Sequence, residues 1–326
     1  MLKSYLYNSQ GKDQEIKLGK ILPKLSAEKL LWVDVVGTAD DNKHLRDLFG
    51  LSPAIWNSTL RDRRYSKVEN YGDYFHLPLL AILPLKTDAE RLALPKTVPF
   101  SMVVGKLWLL TMHDKELPYL VQFRDQDRAD TLIGKLSSAA LASSLLDWHL
   151  STYLDAVERV EVFCDKIDLK ILSDGRIHRT VLKELVTARR YVSELGRLLA
   201  AQRQIFYGIS RADVQLMVDD KATLHFEKLE HRFERVVDAV ENGRNLVKGS
   251  FDLHAASLAE ATDRLVRRLT FFGVMLGIIG AVAGIFGMNF DTRYAHMGEF
   301  GFWVVIAALG VLVLVSALVS MWNKWI

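Results

Sequence analysis

A chain of 326 residues, half of them hydrophobic and with a formal net charge of +3, has room for about two domains, and its signs are too well mixed for a nucleic-acid binder. The single cysteine, Cys164, excludes an intramolecular disulfide and suits a reducing cytoplasm. The opening MLKSYLYNSQGKDQE lacks the apolar core of a signal peptide.

Residues 1–131 are expected to form a cytosolic α+β domain of mixed sheet and helices. Its β-rich runs are Leu30–Val36, Phe75–Leu85 and Val98–Met112, with a helix expected over Asp40–Phe49. Gly134-Lys135 is followed by Leu136 and lacks the spaced upstream glycine of a phosphate loop. His76 and His113, in or beside strand runs, read as structural. Asp125, Asp127 and Asp130 read as caps of the next helix rather than as cation ligands.

From Leu132 the pattern turns helical. Residues 132–212 are expected to form an antiparallel hairpin, broken at Ser173-Asp174-Gly175, whose second helix runs from Ile177 to Tyr207. Residues 213–268 continue as a long stalk helix with no proline from there to the last residue. Leu229, Phe233, Val236, Val240 and Val247 follow four-three spacing, the seam of a coiled-coil-like bundle or of packing against the two preceding helices. The charged residues between them form a solvated face. His225 and His231 do not share a face, so with His254 they make a poor zinc set.

Leu269 to Phe286 then pass without a charge, eighteen residues, and at about 1.5 Å per residue such a helix comes close to a hydrocarbon core of about 30 Å. A second apolar run spans 300–322. Residues 269–290 and 300–322 are therefore read as transmembrane helices, joined by an external loop over 291–299 and followed by a cytosolic tail, 323–326. Arg264, Arg267 and Arg268 before the first span and Lys324 after the second put both termini in the cytoplasm. Gly273, Gly277, Gly280, Gly284 and Gly287 share one side of the first span. The same side continues back through Thr270, Val266, Asp263, Ala259, Ala256 and Asp252. A small-residue stripe can serve close helix packing, and a stripe that is acidic outside the membrane and glycine-lined within it can wall an ion path; the pattern leaves both open.

The stretch DLHAASLAEATDRLVRRLTFFGVMLGIIGAVAGIFGMNF, Asp252 to Phe290, resembles the stalk end and first membrane helix of the CorA family of divalent-cation transporters, which carries Gly-Met-Asn at the outer end of that helix. Here the motif is Gly287-Met288-Asn289, and the chain ends Asn323-Lys324-Trp325-Ile326, near the family's basic-Trp-Leu tail. Leu51 to Leu80 resembles a second family pattern, with Ser52 in place of a common His and Tyr65-Ser66 in place of a Pro.

The resemblance implies a homopentamer in the bacterial inner membrane that needs no cofactor and carries a divalent ion, Mg²⁺ first, or Zn²⁺, Co²⁺ or Ni²⁺. It further implies a ring of Asn289 amides at the outer mouth, meeting the ion through its hydration shell. Gly287 would permit close backbone approach, Met288 would anchor the motif, and Glu299 in the loop would concentrate cations. Asp263 stands where the family usually has Asn, and Asp252 where an acidic ring is common. Val266 and Leu269 or Thr270 occupy the hydrophobic constriction. Gly277 replaces a bulky Met, Ile278 a Pro, and Gly298 the Pro of a Met-Pro-Glu loop, which reads as a looser gate and a less rigid loop. Three functions follow: a CorA-type Mg²⁺ channel, a ZntB-like Zn²⁺ transporter with possible proton coupling, and a non-conducting membrane-anchored scaffold or sensor. No nucleophile–base pair or cofactor motif points to an enzyme.

Overall fold

Seven strands alternate with short helices before the chain turns wholly helical in the computed structural model, which describes residues 2–8, 14–26, 28–37, 43–58, 67–84, 92–127, 137–174, 179–215, 220–288 and 298–322. Two compact units divide the chain. The first comprises Met1–Ile167 with Arg179–Phe251, and the second Asp168–His178 with Asp252–Ile326.

The first unit is built on one sheet in the order β2-β1-β3-β7-β6-β5-β4. Its strands are β1 (Leu2–Asn8), β2 (Gln14–Ile16), β3 (Lys29–Val36), β4 (Glu69–Asn70), β5 (Tyr74–Leu83), β6 (Lys96–Gly105) and β7 (Trp108–His113). Every neighbouring pair is antiparallel except β3 and β7, which run parallel at the centre with Leu31 opposite Trp108 and Val36 opposite His113. The expected run Val98–Met112 is therefore two strands, not one. They turn at Lys106-Leu107, and the turn escapes the pattern because Leu107 continues the apolar run. Gly105 at the turn lies under the Trp108 indole, where an added Cβ would come within 2.2 Å of the ring.

Both faces of β3 are buried, as expected for a strand at the centre of a covered sheet. On one face Leu31, Val33 and Val35 join Leu45 and Phe49 of helix α1 (Lys43–Leu48) and its end, Ile55 of α2 (Pro53–Ser58), Val103 and Leu110 in one cluster. On the other face Trp32 meets Phe123 of α3 (Pro118–Asp127) edge to face, and Phe123 meets Trp148 of α4 (Ser138–Asp174) in the same way.

Three buried polar clusters tie these layers. The Trp32 indole N–H donates to Thr111 Oγ1 at 3.1 Å, and the Thr111 hydroxyl donates to Asp34 Oδ1 at 2.6 Å. His113 Nε2 lies 3.0 Å from the same carboxylate oxygen, locking the register of the parallel pair. His76 lies between Glu69 Oε2 at 3.1 Å and Ser101 Oγ at 3.2 Å. The third cluster joins α4, α5 (Arg179–Gly208) and β5: Gln202 Oε1 accepts from His149 Nε2 and from the Leu80 amide, each at 3.1 Å. Gln202 in turn donates to the Tyr153 hydroxyl at 2.8 Å.

Helix α4 is capped by Ser137, whose hydroxyl accepts from the Ala140 amide at 3.3 Å. Asp125 lies within α3, and Asp127 ends it, so neither caps the next helix; Asp130 lies outside the described residues. A single turn, α6 (Ala212–Gln215), precedes α7 (Asp220–Phe286), 67 residues long. The seam residues Leu229, Phe233, Val236, Val240 and Val247 are all buried inside the one chain. Phe233 stacks on Phe206 of α5 at 4.7 Å, and an added Cβ at Gly243 would touch Val157 of α4 at 3.4 Å, so the packing is within the three-helix layer.

Burial holds His149 neutral: desolvation lowers its pKa from 6.5 to about 4, against a smaller opposing effect of the Gln202 hydrogen bond. A base whose folded pKa lies below its unfolded value contributes in full above about pH 6.5, and the contribution is lost as pH falls toward about 4. Full-length protein in detergent should lose about 2 kcal/mol from this group between about pH 6.5 and 5. Thermal melts over that window should show a shallower decline in His149→Gln; equal declines would count against the assignment.

Candidate functional site

The described part of the second unit comprises a helix pair, α7 from Asp252 onward and α8 (Gly298–Trp322), with the α4 stretch Asp168–Asp174. Both helices contain an apolar stretch long enough to cross a membrane, and 0% of either stretch is buried in the chain. Leu269 is 75% exposed and Leu276 69%, values that water would not tolerate over so continuous a surface. Trp303 and Trp322 lie nineteen helical steps apart on α8, about 28 Å, which matches the aromatic belts of a single bilayer.

The two sides of α7 are unequal. In its apolar part the half-buried positions are Phe271, Met275, Ile278 and Val282, spaced four, three and four, one face of a helix. On α8 half-burial recurs at Gly301, Val305 and Leu309, again one face. Bulky side chains thus make the covered face of α7, and the glycines do not. At 100° per residue the glycine stripe is centred on the far side of the helix, roughly 180° from that face. A Cβ added at Gly273, Gly277, Gly280 or Gly284 would meet nothing within 4 Å. Close packing within the chain is therefore not what these glycines serve. The stripe is free for a second copy or for an ion.

Asp252, Asp263, Val266, Leu269 and Thr270 are all exposed, on the glycine-bearing side of α7 or at its edge. Gly287 keeps the helical pattern, its amide donating to Ala283 O at 2.9 Å, and the Met288 amide tightens to Ile285 O at 3.3 Å, so the helix closes at this pair. Met288 is exposed. Asn289 and the loop 291–297 lie outside the described residues, as do Tyr65-Ser66 and the tail 323–326. Glu299 stands in the first turn of α8, where a carboxylate is favoured by the helix dipole.

Gly298 opens α8 at φ +59°, a backbone conformation closed to proline, whose ring fixes φ near −65°. The helix entry at Gly298 therefore has a geometry that a Pro at this position would not share. The sequence offered only Gly as the signal.

In the first unit, Glu69, His76 and Ser101 stand in the order of a hydrolase triad, yet His76 and Ser101 are both 0% exposed. No substrate reaches such a serine. A cavity of about 110 Å³ lies between the end of β5, α3, α4 and α5, lined by Pro84, Tyr119, Gln122, Asp155, Arg159 and Tyr191 among others. Burial raises the pKa of the Tyr119 hydroxyl well above its ordinary value and keeps it neutral. Among the described residues no three His, Cys, Asp or Glu side chains gather as metal ligands, and His225, His231 and His254 do not converge.

Residues 27–322 match the family described as CorA-like Mg²⁺ transporter protein. The cobalt/magnesium transport protein CorA of Thermotoga maritima is 22% identical over 309 residues, covering 94% of this chain and 86% of that one. The complete structure of the CorA magnesium transporter from Methanocaldococcus jannaschii superimposes with a TM-score of 0.75 at 16% identity, covering 99% of this chain and 98% of that one. The full-length CmaX structure does so with a TM-score of 0.70 at 18% identity, covering 99% and 97%. At these identities the structural likeness is one of fold.

Replacing Gly298 by Ala forces a side chain into the left-handed region and should cost about 1 kcal/mol; Pro should cost more, because its φ is excluded. Thermal melting of the detergent-solubilised protein should rank the wild type above Ala and Ala above Pro. A proline variant as stable as the wild type would refute the positive-φ entry.

Proposed function

Because this chain belongs to the CorA-like Mg²⁺ transporter protein family, a family of membrane transporters of divalent cations, we propose that it is a homopentameric channel of the inner membrane, with Mg²⁺ as its first ion and both termini in the cytoplasm. The observation that supports this reading most is the empty glycine face of α7. Several copies arranged about an axis, each covering its bulky face with α8, would turn the glycines and acids inward. The small residues then leave width for a hydrated ion.

Mg²⁺ releases its water reluctantly, so its entrance is best made of neutral oxygens that hold the outer shell. Asn289, repeated around the axis, would supply that ring of amide oxygens, with Gly287 and Met288 setting its position at the helix end. Glu299 would raise the local cation concentration. Further in, Val266 with Leu269 or Thr270 would form a constriction that closes by dewetting, and Asp263 and Asp252 would receive the ion on the cytoplasmic side. Gly277 leaves that path wide at its middle. Zn²⁺ as the cargo, in the manner of the ZntB branch, is the second reading.

Proteoliposomes of purified protein, with Mg²⁺ and Zn²⁺ followed by separate dyes, test both. Mg²⁺ entry lost in Asn289→Ala is the expected result; Zn²⁺ entry with little Mg²⁺ would favour the second reading. No flux of either ion would leave a membrane-anchored scaffold. Gly277→Leu should fold and melt like the wild type, since its side chain enters open space within the chain, and should carry less flux because it narrows the path. Undiminished flux in that variant would remove the glycine face from the path.

A further inference from the structure

Three arginines stand on α7 one turn below the apolar stretch. Arg264, Arg267 and Arg268, at i, i+3 and i+4, fall within an arc of about 100°. That arc continues the bulky face of Phe271, Met275, Ile278 and Val282, on the far side of the helix from the glycines and about a third of a turn from Asp252 and Asp263. All three side chains are exposed. Arg264 reaches Glu260 only at 4.0 Å, and no ion pair among the described residues involves Arg267 or Arg268. At the same end of the antiparallel helix pair, α8 closes on Trp322, 88% exposed.

Three exposed guanidinium groups crowd one side of the helix with a single carboxylate near them. Like charges so close together repel one another unless something anionic neutralises them. Glu260, at 4.0 Å from Arg264, is the one acid of α7 within reach among the described residues, and it leaves Arg267 and Arg268 without a partner there. The arginines stand at the end of the helix pair that also carries the Trp322 indole, a side chain that settles in the polar layer of a bilayer. A guanidinium binds phosphate oxygens in pairs, through parallel N–H donors, more effectively than a point charge does.

We propose that Arg264, Arg267 and Arg268, with Trp322, bind the headgroup phosphates of anionic phospholipids in the inner leaflet. The bound lipid neutralises the arginine face. The inference rests on the membrane reading of α7 and α8 given above.

Native mass spectrometry of the full-length protein, with phosphatidylglycerol and phosphatidylcholine offered in equal amounts, tests it. The wild type should retain phosphatidylglycerol over phosphatidylcholine by roughly tenfold or more, and high salt should reduce that preference. Combining Arg264→Gln, Arg267→Gln and Arg268→Gln should abolish the preference, and the three Lys substitutions should keep part of it. Equal retention of both lipids by the wild type overturns the proposal, whether or not the glutamine variant folds. So does an unchanged preference in that variant, which would assign the arginines to carboxylates of a second copy. Displacement of the lipid by excess glycerol phosphate would equally overturn it, pointing to a soluble phosphate. Failure of the membrane reading registers separately, as release of the protein from membranes by carbonate.

Discussion

An apolar helix surface with nothing to cover it is stable only in an apolar medium, and the end of α7 together with α8 presents such a surface. Half or more of Leu269, Phe272, Leu276 and Ile285 is exposed, and α8 offers Phe300, Trp303, Leu314 and Leu318 in the same way. In lipid the backbone of these segments is satisfied by its own helical hydrogen bonds, so the pair needs no further polar partner. The requirement orders the rest of the second unit. Charges gather at the ends of the spans, aromatic residues sit at the boundaries, and among the described residues of this unit the one glycine with positive φ is the one that starts α8.

Within that pair, side-chain size decides which face does what. Bulky Phe271, Met275, Ile278 and Val282 take the covered face, and the glycines are left open. In many membrane helices small residues mark the contact between helices. Here the arrangement within the chain is reversed, and the reversal leaves the stripe uncovered. The arginines beneath the bulky face and the acids nearer the glycine side follow the same division of charge.

The first unit shows the opposite economy. At three places its buried polar groups bond to one another, and there Asp34, His76, His113 and His149 hold strands and helices in register. The Glu69–His76–Ser101 chain shows that hydrogen-bond order alone makes no catalyst, since a fully buried serine meets no substrate. The reading of His76 and His113 as structural rests on this burial.

Much of the helical part was legible because a 3.6-residue period sustained over several turns leaves few alternatives. The helix expected over Ile177–Tyr207 is α5, Arg179–Gly208, and the apolar run over 300–322 is α8. The sheet was less so. β1 shows no clean alternation, β2 has three residues, and β6 and β7 read as one run through Leu107. Pairing β3 with β7 across the intervening strands is a long-range event that no local pattern records. The glycine stripe was plain in the sequence, but whether it faced α8 was not, because spacing assigns residues to one side of a helix without saying what lies there. The amino-acid order by itself determined the two spans, the charges at their ends and the side shared by glycines and acids, since each follows from composition and period along one segment. Only the tertiary structure decided that the bulky face is the covered one, that the seam of α7 is spent inside the chain, and that Gly298 adopts a conformation closed to proline, since each depends on what the folded backbone brings near.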